Sequence, residues 1–265
     1  MSIATPIRLT RRLFRRNSPV TPALSDPLHS DVPALCGAEI AAIYHGYRVA
    51  GDFYEFLRVN RSRVLFGLFD IAGRREDTRE YLIAAQQTLR DLGPRLFAAH
   101  DVNEPVAMIE LSHELNRTIL RSAGVRSCPA FLGCYNEDLG TVCYANSGHT
   151  PALLRDPHGI AQLQATGLPL GLFSHTTRSA STCALVPGSA LLVVSRGIVE
   201  AERGGEEFAL EGVGRSLRSA TVTKARDLCL TTLRDAQKFM QGAPPQNDVT
   251  ALALVRTSTA EEHVH

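Results

Sequence analysis

The sequence predicts an α+β protein in which two mainly antiparallel sheets pack face to face, with helices on their outer surfaces. Segments with strand and helix patterns follow one another as three strands, two helices, six strands, one helix and a closing strand. Apolar residues make up 44% of the 265 residues, which is enough for a substantial core. The closing strand is apolar on both faces and is therefore expected inside a sheet. Two packed sheets with outer helices bury all of these surfaces, which favours an αββα sandwich.

The first three strands are indicated by short apolar or alternating runs. Gly51-Asp52 and Asn60-Arg61-Ser62 divide the runs, and such turn residues are typical of consecutive antiparallel strands. The predicted strands are Ala38–Tyr47, Phe53–Val59 and Val64–Asp70.

Three helices are indicated by apolar residues spaced three or four apart. The first helix is expected to be interrupted at Gly93-Pro94. The second begins at Asn103, a good N-cap, with Pro105 tolerated in its first turn, and the third begins at a cap on Thr223. Their apolar stripes are Leu82, Ala85, Leu89 and Leu92; Met108, Leu111, Leu115 and Ile119; and Ala225, Cys229, Leu233, Ala236 and Met240.

The remaining strands lie between turns rich in Asn, Asp, Pro and Gly. They are predicted at Ala130–Tyr135, Thr141–Ala145, Pro151–Arg155, Ile160–Leu163, Ser179–Leu185, Ala190–Ser195 and, closing the domain, Val249–Val255.

One domain is expected over residues 36–257, between two tails. Residues 1–35 read as a basic, proline-containing disordered tail, and residues 258–265 as a C-terminal tail. The first twenty residues include no acidic residue but five arginines, namely Arg8, Arg11, Arg12, Arg15 and Arg16. Such an arm is expected to be solvated, with weak contact to an anionic membrane surface as the alternative.

Charge and cysteine usage restrict the classes of partner and compartment. The formal net charge is +1, from 28 basic and 27 acidic residues, so nucleic acid is not an expected partner. Six cysteines occur singly, without a C-x-x-C pair, which indicates a reduced, cytoplasmic protein. No apolar run approaches the roughly 20 residues of a membrane span.

Six short segments occur in an order that resembles the metal-dependent PPM-type (type 2C) serine/threonine phosphatases of the SpoIIE branch. That branch typically reads G-G-D-F-Y-D, D-V-S-G-H-G, N-A-G-H-x-P, G-x-P-L-G, T-D-G-V-x-E and D-D-I-T. The resemblance covers about residues 38–256. The corresponding segments are "AGDFYEF" (50–56), "LFDIAGRRED" (68–77), "CYANSGHTPALL" (143–154), "GLPLGLF" (167–173), "VVSRGIVEA" (193–201) and "QNDVTALALV" (246–255).

The resemblance implies an αββα sandwich with two Mn²⁺ or Mg²⁺ ions at one end, where they activate water for attack on a phosphoserine. It places Asp52 and Asp70 at metal-ligand positions, together with the backbone carbonyl of Ile71. Arg196 and Asn247 stand where the family has metal-binding aspartates. The implied metal site is therefore degenerate.

Other positions of the resemblance carry basic residues or histidine. Arg74 and Arg75 occupy the histidine and last glycine of G-H-G. We expect Arg74 and Arg196 to hold a phosphate by charge-assisted hydrogen bonds. The alternatives are a surface salt-bridge cluster around Arg74 and Arg75, and a solvated Arg196 that pairs with Glu200. His149 is expected chiefly to shape a turn between strands.

Charge arithmetic limits the metal content. Two divalent ions about 4 Å apart repel by roughly 16 kcal/mol at an effective dielectric constant near 20. Asp52 and Asp70 supply two negative charges, whereas Arg196 adds a positive one. We therefore expect one weakly bound Mg²⁺ or Mn²⁺ ion, or none. Arg196 is expected to lie buried between Asp52 and Asp70 and to bridge both carboxylates in place of a metal.

Three functions are compatible with these residues. The first is a catalytically impaired pseudophosphatase that binds a regulatory protein, which is Ser/Thr-phosphorylated or not. The second is an active Mn/Mg-dependent phosphoserine/phosphothreonine phosphatase, in which Glu200, Asp77 or Asp248 completes a reduced metal site. The third is a non-catalytic assembly scaffold. Regulation is expected from a separate protein or from a homodimer.

Overall fold

The computed structural model of the chain describes residues 30–46, 51–71, 75–121, 127–220, 224–243 and 245–257. These residues form two five-stranded sheets, one two-stranded hairpin and five helices. Arg74 and Thr223 lie outside the described residues, as do residues 1–29 of the predicted N-terminal tail and the whole C-terminal tail.

The first sheet contains the closing strand of the chain in an interior position. Its strands are β1 (Ala38–His45), β6 (Ala152–Asp156), β7 (Gly159–Leu163), β9 (Ala190–Val194) and β12 (Val249–Arg256). They lie in the order β1-β12-β9-β6-β7, and every neighbouring pair is antiparallel. The prediction that β12 is central is therefore confirmed.

The second sheet is also antiparallel throughout. Its strands are β2 (Asp52–Arg58), β3 (Arg63–Asp70), β4 (Ala130–Asn136), β5 (Thr141–Ser147) and β8 (Ser181–Ala184), which lie in sequence order across the sheet. The short strands β10 (Glu202–Arg203) and β11 (Glu206–Glu207) form a separate hairpin.

Helices cover the outer face of each sheet. They are α1 (Arg75–Phe97), α2 (Glu104–Arg121), α3 (Arg196–Val199), α4 (Ala209–Ser219) and α5 (Ala225–Phe239). One core cluster joins α1 and α2 to the second sheet, and another joins α3, α4 and α5 to the first sheet. A third cluster fills the space between the sheets, where Phe66 and Phe131 face Leu191 and Leu252. The predicted αββα layering is confirmed.

Helix α1 does not stop at Gly93-Pro94, contrary to the sequence prediction. Proline removes one helical hydrogen bond, but Leu89 and Phe97 on either side of it are fully buried. A Cβ atom at Gly93 would lie 2.7 Å from a methyl carbon of Leu65, so glycine allows the helix to approach the sheet closely here. Packing on the sheet therefore stabilises the helical conformation on both sides of Pro94.

Two helices, α3 and α4, were not predicted from the sequence. Helix α4 contains Gly212 and Gly214, which weaken the helical pattern. Its buried Val213 and Leu217 lie one turn apart and pack in the core of the first sheet. Gly212 lies against the Phe208 ring, 2.6 Å from where its Cβ would be. Gly212 therefore serves close packing rather than a loop.

Ser30 is hydrogen-bonded to strand β2. The Ser30 hydroxyl donates to Glu55 Oε1 at 2.7 Å and accepts from the Phe56 amide at 2.8 Å. These bonds tie residue 30, which the sequence assigned to the tail, to strand β2. No helix in the described part of the chain is both long enough and apolar enough to cross a membrane.

Candidate functional site

The two predicted metal-ligand aspartates face each other across neighbouring strands. Asp52 begins β2 and Asp70 ends β3, and the two residues are direct partners in the antiparallel register. Directly opposed side chains have Cβ atoms roughly 4.5–5.5 Å apart. Both are buried, with 5% and 7% of their surface exposed. The strand pairing therefore places two carboxylates side by side at one end of the sandwich.

A close backbone approach brings Ile71 to the same place. The Ile71 amide donates to the Gly51 carbonyl at 3.2 Å. A Cβ atom at Gly51 would lie 1.5 Å from the Ile71 carbonyl oxygen, so only glycine fits beside this oxygen. The third predicted ligand therefore lies directly next to the aspartate pair.

The segment that precedes β12 is held against the same turn by Asp248. Its Oδ2 accepts hydrogen bonds from the Gly51 amide at 3.1 Å and from the Tyr44 hydroxyl at 3.0 Å. A Cβ atom at Gly197 would lie 2.0 Å from the Asp248 carbonyl oxygen and 3.3 Å from Asn247 Cβ. Helix α3 and the 247–248 segment are therefore in close contact.

These contacts enclose a small cavity of about 60 Å³. Its walls are Gly51, Asp52, Asp70, Ile71, Arg196, Gly197, Asn247 and Asp248. The structure thus brings Asp52, Asp70, Ile71, Arg196 and Asn247 together, although the sequence separates them by up to 195 positions (247 − 52). Arg74 lies outside the described residues.

Arg196 does not bridge the two aspartates, contrary to the sequence expectation. Its guanidinium Nη2 lies 3.7 Å from Asp70 Oδ1, its Nε lies 3.6 Å from Glu200 Oε1, and the side chain is 46% exposed. The backbone amide of Arg196 makes the shorter contact, donating to Asp70 Oδ2 at 2.9 Å. Because Arg196 opens helix α3, its side chain lies along the helix surface toward Glu200, one turn further on.

Asp52 is held instead by two residues that the sequence reasoning missed. The Thr250 hydroxyl donates to Asp52 Oδ2 at 2.6 Å. The Ser195 hydroxyl accepts from the Thr250 amide at 2.9 Å and donates to the Asp248 carbonyl at 3.4 Å. Thr250 is the last residue of the "NDVT" segment, and Ser195 directly precedes Arg196, so both lay within segments already singled out.

The electrostatics of the pair favour a bound cation. Burial raises the pKa of Asp52 well above its usual value, the negative charges of Asp70 and Asp248 raise it further, and the hydrogen bond from the Thr250 hydroxyl opposes the shift. Ionised carboxylates in this position repel each other. A positive charge between them offsets that repulsion, which a half-exposed guanidinium at the rim does only in part.

His149 has the turn-shaping role expected of it. The Asn146 side chain accepts from the His149 amide at 2.8 Å, and Gly148 adopts a left-handed conformation with φ of 66°. His149 Nδ1 lies 3.0 Å from the Thr150 carbonyl, so this nitrogen carries the proton. Its Nε2 is buried without a hydrogen-bond partner, and burial lowers the pKa of the imidazole.

The donor set suits one hard divalent cation better than two. Asp52, Asp70 and the Ile71 carbonyl offer oxygen atoms, which Mg²⁺ and Mn²⁺ prefer. Among the residues that the structure describes, no group of three or more His, Cys, Asp or Glu side chains is arranged to hold a metal ion. The amide of Arg196 already occupies one oxygen of Asp70.

Two mainly antiparallel sheets with outer helices are the fold of PP2C domains. The family described as Stage II sporulation protein E (SpoIIE) matches residues 82–257, which is more than half of the chain. The chain therefore belongs to the SpoIIE family.

Solved structures with low sequence identity share the fold. The RsbU and RsbW domains of Rv1364c from Mycobacterium tuberculosis match with a TM-score of 0.66 at 22% identity, over 87% of this chain and 62% of that one. The PP2C domain of SpoIIE from Bacillus subtilis, with a fragment of its regulatory domain, gives 0.65 at 16% identity, over 83% and 64%. The SiaA-PP2C domain of Pseudomonas aeruginosa gives 0.66 at 16%, over 82% and 84%.

A curated relative is Protein IcfG of Synechocystis sp., which is 26% identical over 132 residues. The match covers 48% of this chain and 20% of IcfG, so the chain aligns with only a fifth of that relative's length.

Proposed function

We propose that this SpoIIE-family chain is a catalytically impaired phosphatase that binds a regulatory protein. The partner is either phosphorylated on Ser or Thr or unphosphorylated. The observation that carries the proposal is the position of Arg196. Its guanidinium lies 3.7 Å from Asp70 Oδ1, at the rim of the cavity in which the family places its metals. A fixed positive charge at this distance competes with a divalent cation for the same carboxylate.

The second degenerate position supports the same proposal. Asn247 lines the cavity with a neutral amide where the family has a carboxylate. Asp248 beside it accepts hydrogen bonds from Gly51 and Tyr44, which commits at least one of its oxygens to holding the turn. Asp248 is therefore poorly placed to replace the missing carboxylate of Asn247 as a metal ligand.

One weakly bound Mg²⁺ or Mn²⁺ is the metal content that we propose. Asp52, Asp70 and the Ile71 carbonyl would hold it. When bound, such an ion supplies a Lewis acid that polarises a phosphoryl oxygen. Arg196 offers a guanidinium at the mouth of the same cavity, which favours a phosphate group there.

A protein partner is supported by the proteins and assemblies in which similar domains occur. Two similar structures are the RsbU and RsbW domains of Rv1364c and a component of the bacterial stressosome, a modular system that controls secondary messenger signalling. We propose a cytoplasmic location as well, because all six cysteines are free thiols and four of them are buried. Self-association as a homodimer remains a prediction, as does weak membrane contact through the arginine-rich tail.

An active phosphatase with a reduced metal site is the second candidate. This candidate is supported by the exposure of Arg196. Its side chain is 46% exposed, and its two ion pairs have long N–O distances. The side chain can therefore leave Asp70 when a metal binds, since exposed ion pairs of this length contribute only about 0–1 kcal/mol. The buried pair Asp52 and Asp70 would then be available as ligands.

Hydrolysis of p-nitrophenyl phosphate with millimolar Mn²⁺ separates these two candidates. For the impaired enzyme we expect the wild-type rate to equal that of Asp70→Asn, and the double variant Arg196→Asp, Asn247→Asp to be faster. Glu206→Gln, on the exposed hairpin, is the control for nonspecific effects. A wild-type rate tenfold or more above that of Asp70→Asn would establish the active phosphatase instead.

A further inference from the structure

A second polar cavity, of about 550 Å³, lies between helix α2 and the loop that joins β7 to β8. Helix α2 contributes His113, Asn116 and Arg117, and the loop contributes residues 174–177. None of its lining residues belongs to the cavity around Asp70. The two cavities are therefore separate features of the domain.

Next to this cavity lies a buried guanidinium that lacks a counter-charge. Only 6% of Arg178 is exposed. Its Nη2 donates to Asn116 Oδ1 at 2.8 Å, and its Nη1 donates to Ser147 Oγ at 3.0 Å and to the Leu168 carbonyl at 3.1 Å. Its Nε is buried without a hydrogen-bond partner, and no carboxylate of the described residues pairs with the side chain. Burial of an unpaired charge is costly unless an anion offsets it.

Asn116 holds the β7–β8 loop against helix α2. The cavity wall is therefore preformed in the absence of a ligand. The Asn116 Oδ1 accepts from the Gly171 amide at 2.8 Å as well as from Arg178. Its Nδ2 donates to the Phe173 carbonyl at 3.1 Å. This single side chain therefore fixes both the loop and the buried guanidinium.

The rest of the wall is rich in cationic groups and donors. Arg117 is exposed and contacts Glu114 on the same helix, the nearest opposing charge. Burial, followed by the positive charges of Arg178 and Arg117, lowers the pKa of His113, so this side of the cavity is electropositive. The Thr176 hydroxyl is buried without a hydrogen-bond partner. Donors and positive charge are both available, whereas the acceptors of Asn116 are already used.

We propose that this cavity binds a phosphate group, at a site distinct from the candidate metal centre. Arg117 would donate to the phosphate oxygens at the cavity wall, and the charge of Arg178 would favour the anion from behind the wall. The cavity is much larger than a phosphate ion, so a phosphorylated side chain fits as well as free phosphate. The proposal does not depend on whether the metal centre is active.

The test is a titration of the full chain with inorganic phosphate at fixed ionic strength, followed by amide chemical shifts. We expect the signals of residues 174–177 to move. Arg117→Gln should weaken binding at least fivefold. Arg215→Gln, an exposed arginine on α4, is the matched control and should bind as wild type does. Asp70→Asn should also leave this binding unchanged, which separates the two sites.

A phosphoserine pentapeptide and its unphosphorylated form identify the source of the phosphate. Tighter binding of the phosphopeptide than of inorganic phosphate indicates a phosphorylated protein, and equal or weaker binding indicates the free anion. Three results would overturn the proposal. The first is no binding at phosphate concentrations tenfold above the millimolar range, which is the range expected for one exposed anion contact. The second is an unchanged phosphate affinity in Arg117→Gln, and the third is a set of chemical-shift changes confined to the surroundings of Arg196.

Discussion

The two ends of strand β3 each carry a buried charged residue, but their surroundings differ. At one end, Arg63 Nε lies 2.6 Å from Glu104 Oε1, with 7% and 10% of the side chains exposed. The two terminal nitrogens of Arg63 donate to the carbonyls of Ala99 and His100, each at 3.0 Å. At the other end, the guanidinium nearest to Asp70 is 3.7 Å away and 46% exposed.

The difference indicates that Arg63 carries a structural charge and that Asp70 carries a charge available for binding. Every nitrogen of the Arg63 guanidinium has a partner, and the bonds join β3 to the α1–α2 connection. Asp70 has one strong donor, the Arg196 amide, and a second carboxylate directly opposite. Buried groups that are fully paired fix the fold, whereas partly compensated ones retain affinity for a ligand. We therefore expect the Asp70 end to be the functional end of the strand.

The largest expected effect comes from breaking the paired end. Glu104→Ala should lower the free energy of unfolding by about 3–5 kcal/mol, because it leaves Arg63 charged, buried and without its carboxylate. Asn136 loses its acceptor as well, since its Nδ2 donates to Glu104 Oε1 at 2.8 Å. Urea denaturation measures the change.

Glu206→Ala is the matched control for that experiment. It removes the carboxylate of an exposed ion pair, 3.6 Å from Arg203 Nη2, and should change stability by less than about 1 kcal/mol. Equal losses in the two variants would mean that burial of the Arg63 pair has no energetic consequence, and the contrast between the strand ends would fail.

The sequence predicted the functional end well in position and poorly in contacts. The order of segments and the pairing of β2 with β3 were enough to bring Asp52 and Asp70 together. A motif alignment places backbone positions, however, and does not determine side-chain direction. Arg196 therefore lies in the predicted slot while its guanidinium follows helix α3, an element that the sequence pattern did not reveal.

Other errors have a similar cause in tertiary packing. Helix α1 continues through Pro94 because the sheet buries Phe97, and helix α4 tolerates Gly212 because the glycine admits the Phe208 ring. Local propensity disfavours both results. The burial of Phe97 by the sheet cannot be identified from helical periodicity, whereas Phe208 is the N-cap of α4 and lies only four residues before Gly212.

A smaller effect is expected from the hydrogen bond that holds Asp52. Thr250→Val removes a buried donor 2.6 Å from Asp52 Oδ2 and should cost about 1–3 kcal/mol of stability. A double-mutant cycle with Asp52→Asn isolates this bond, and we expect the two changes to be non-additive. Strictly additive changes in urea denaturation would show that Thr250 does not act through Asp52.

Completing the carboxylate set should convert the functional end into a stronger metal site. In Arg196→Asp with Asn247→Asp we expect at least tenfold tighter Mn²⁺ binding, because a positive charge is removed and two negative ones are added. At saturating Mn²⁺, tenfold corresponds to about 1.4 kcal/mol of additional stabilisation, measurable by thermal melting. Arg215→Asp on α4 controls for the charge change of the Arg196→Asp substitution. An Mn²⁺ affinity no higher than that of wild type would place the metal ligands elsewhere.

The smallest effect is expected from removing the guanidinium at the functional end. Arg196→Ala should cost at most about 1 kcal/mol, since the side chain is 46% exposed and its contacts to Asp70 and Glu200 are 3.7 and 3.6 Å long. The backbone amide that holds Asp70 remains in the variant, so the cavity keeps its shape. Millimolar Mg²⁺ should then raise the melting temperature of Arg196→Ala more than that of wild type, because the competing charge near Asp70 is gone. A loss of several kcal/mol, reversed by Mg²⁺, would mean instead that Arg196 bridges Asp52 and Asp70 in solution and that both ends of β3 hold structural charges.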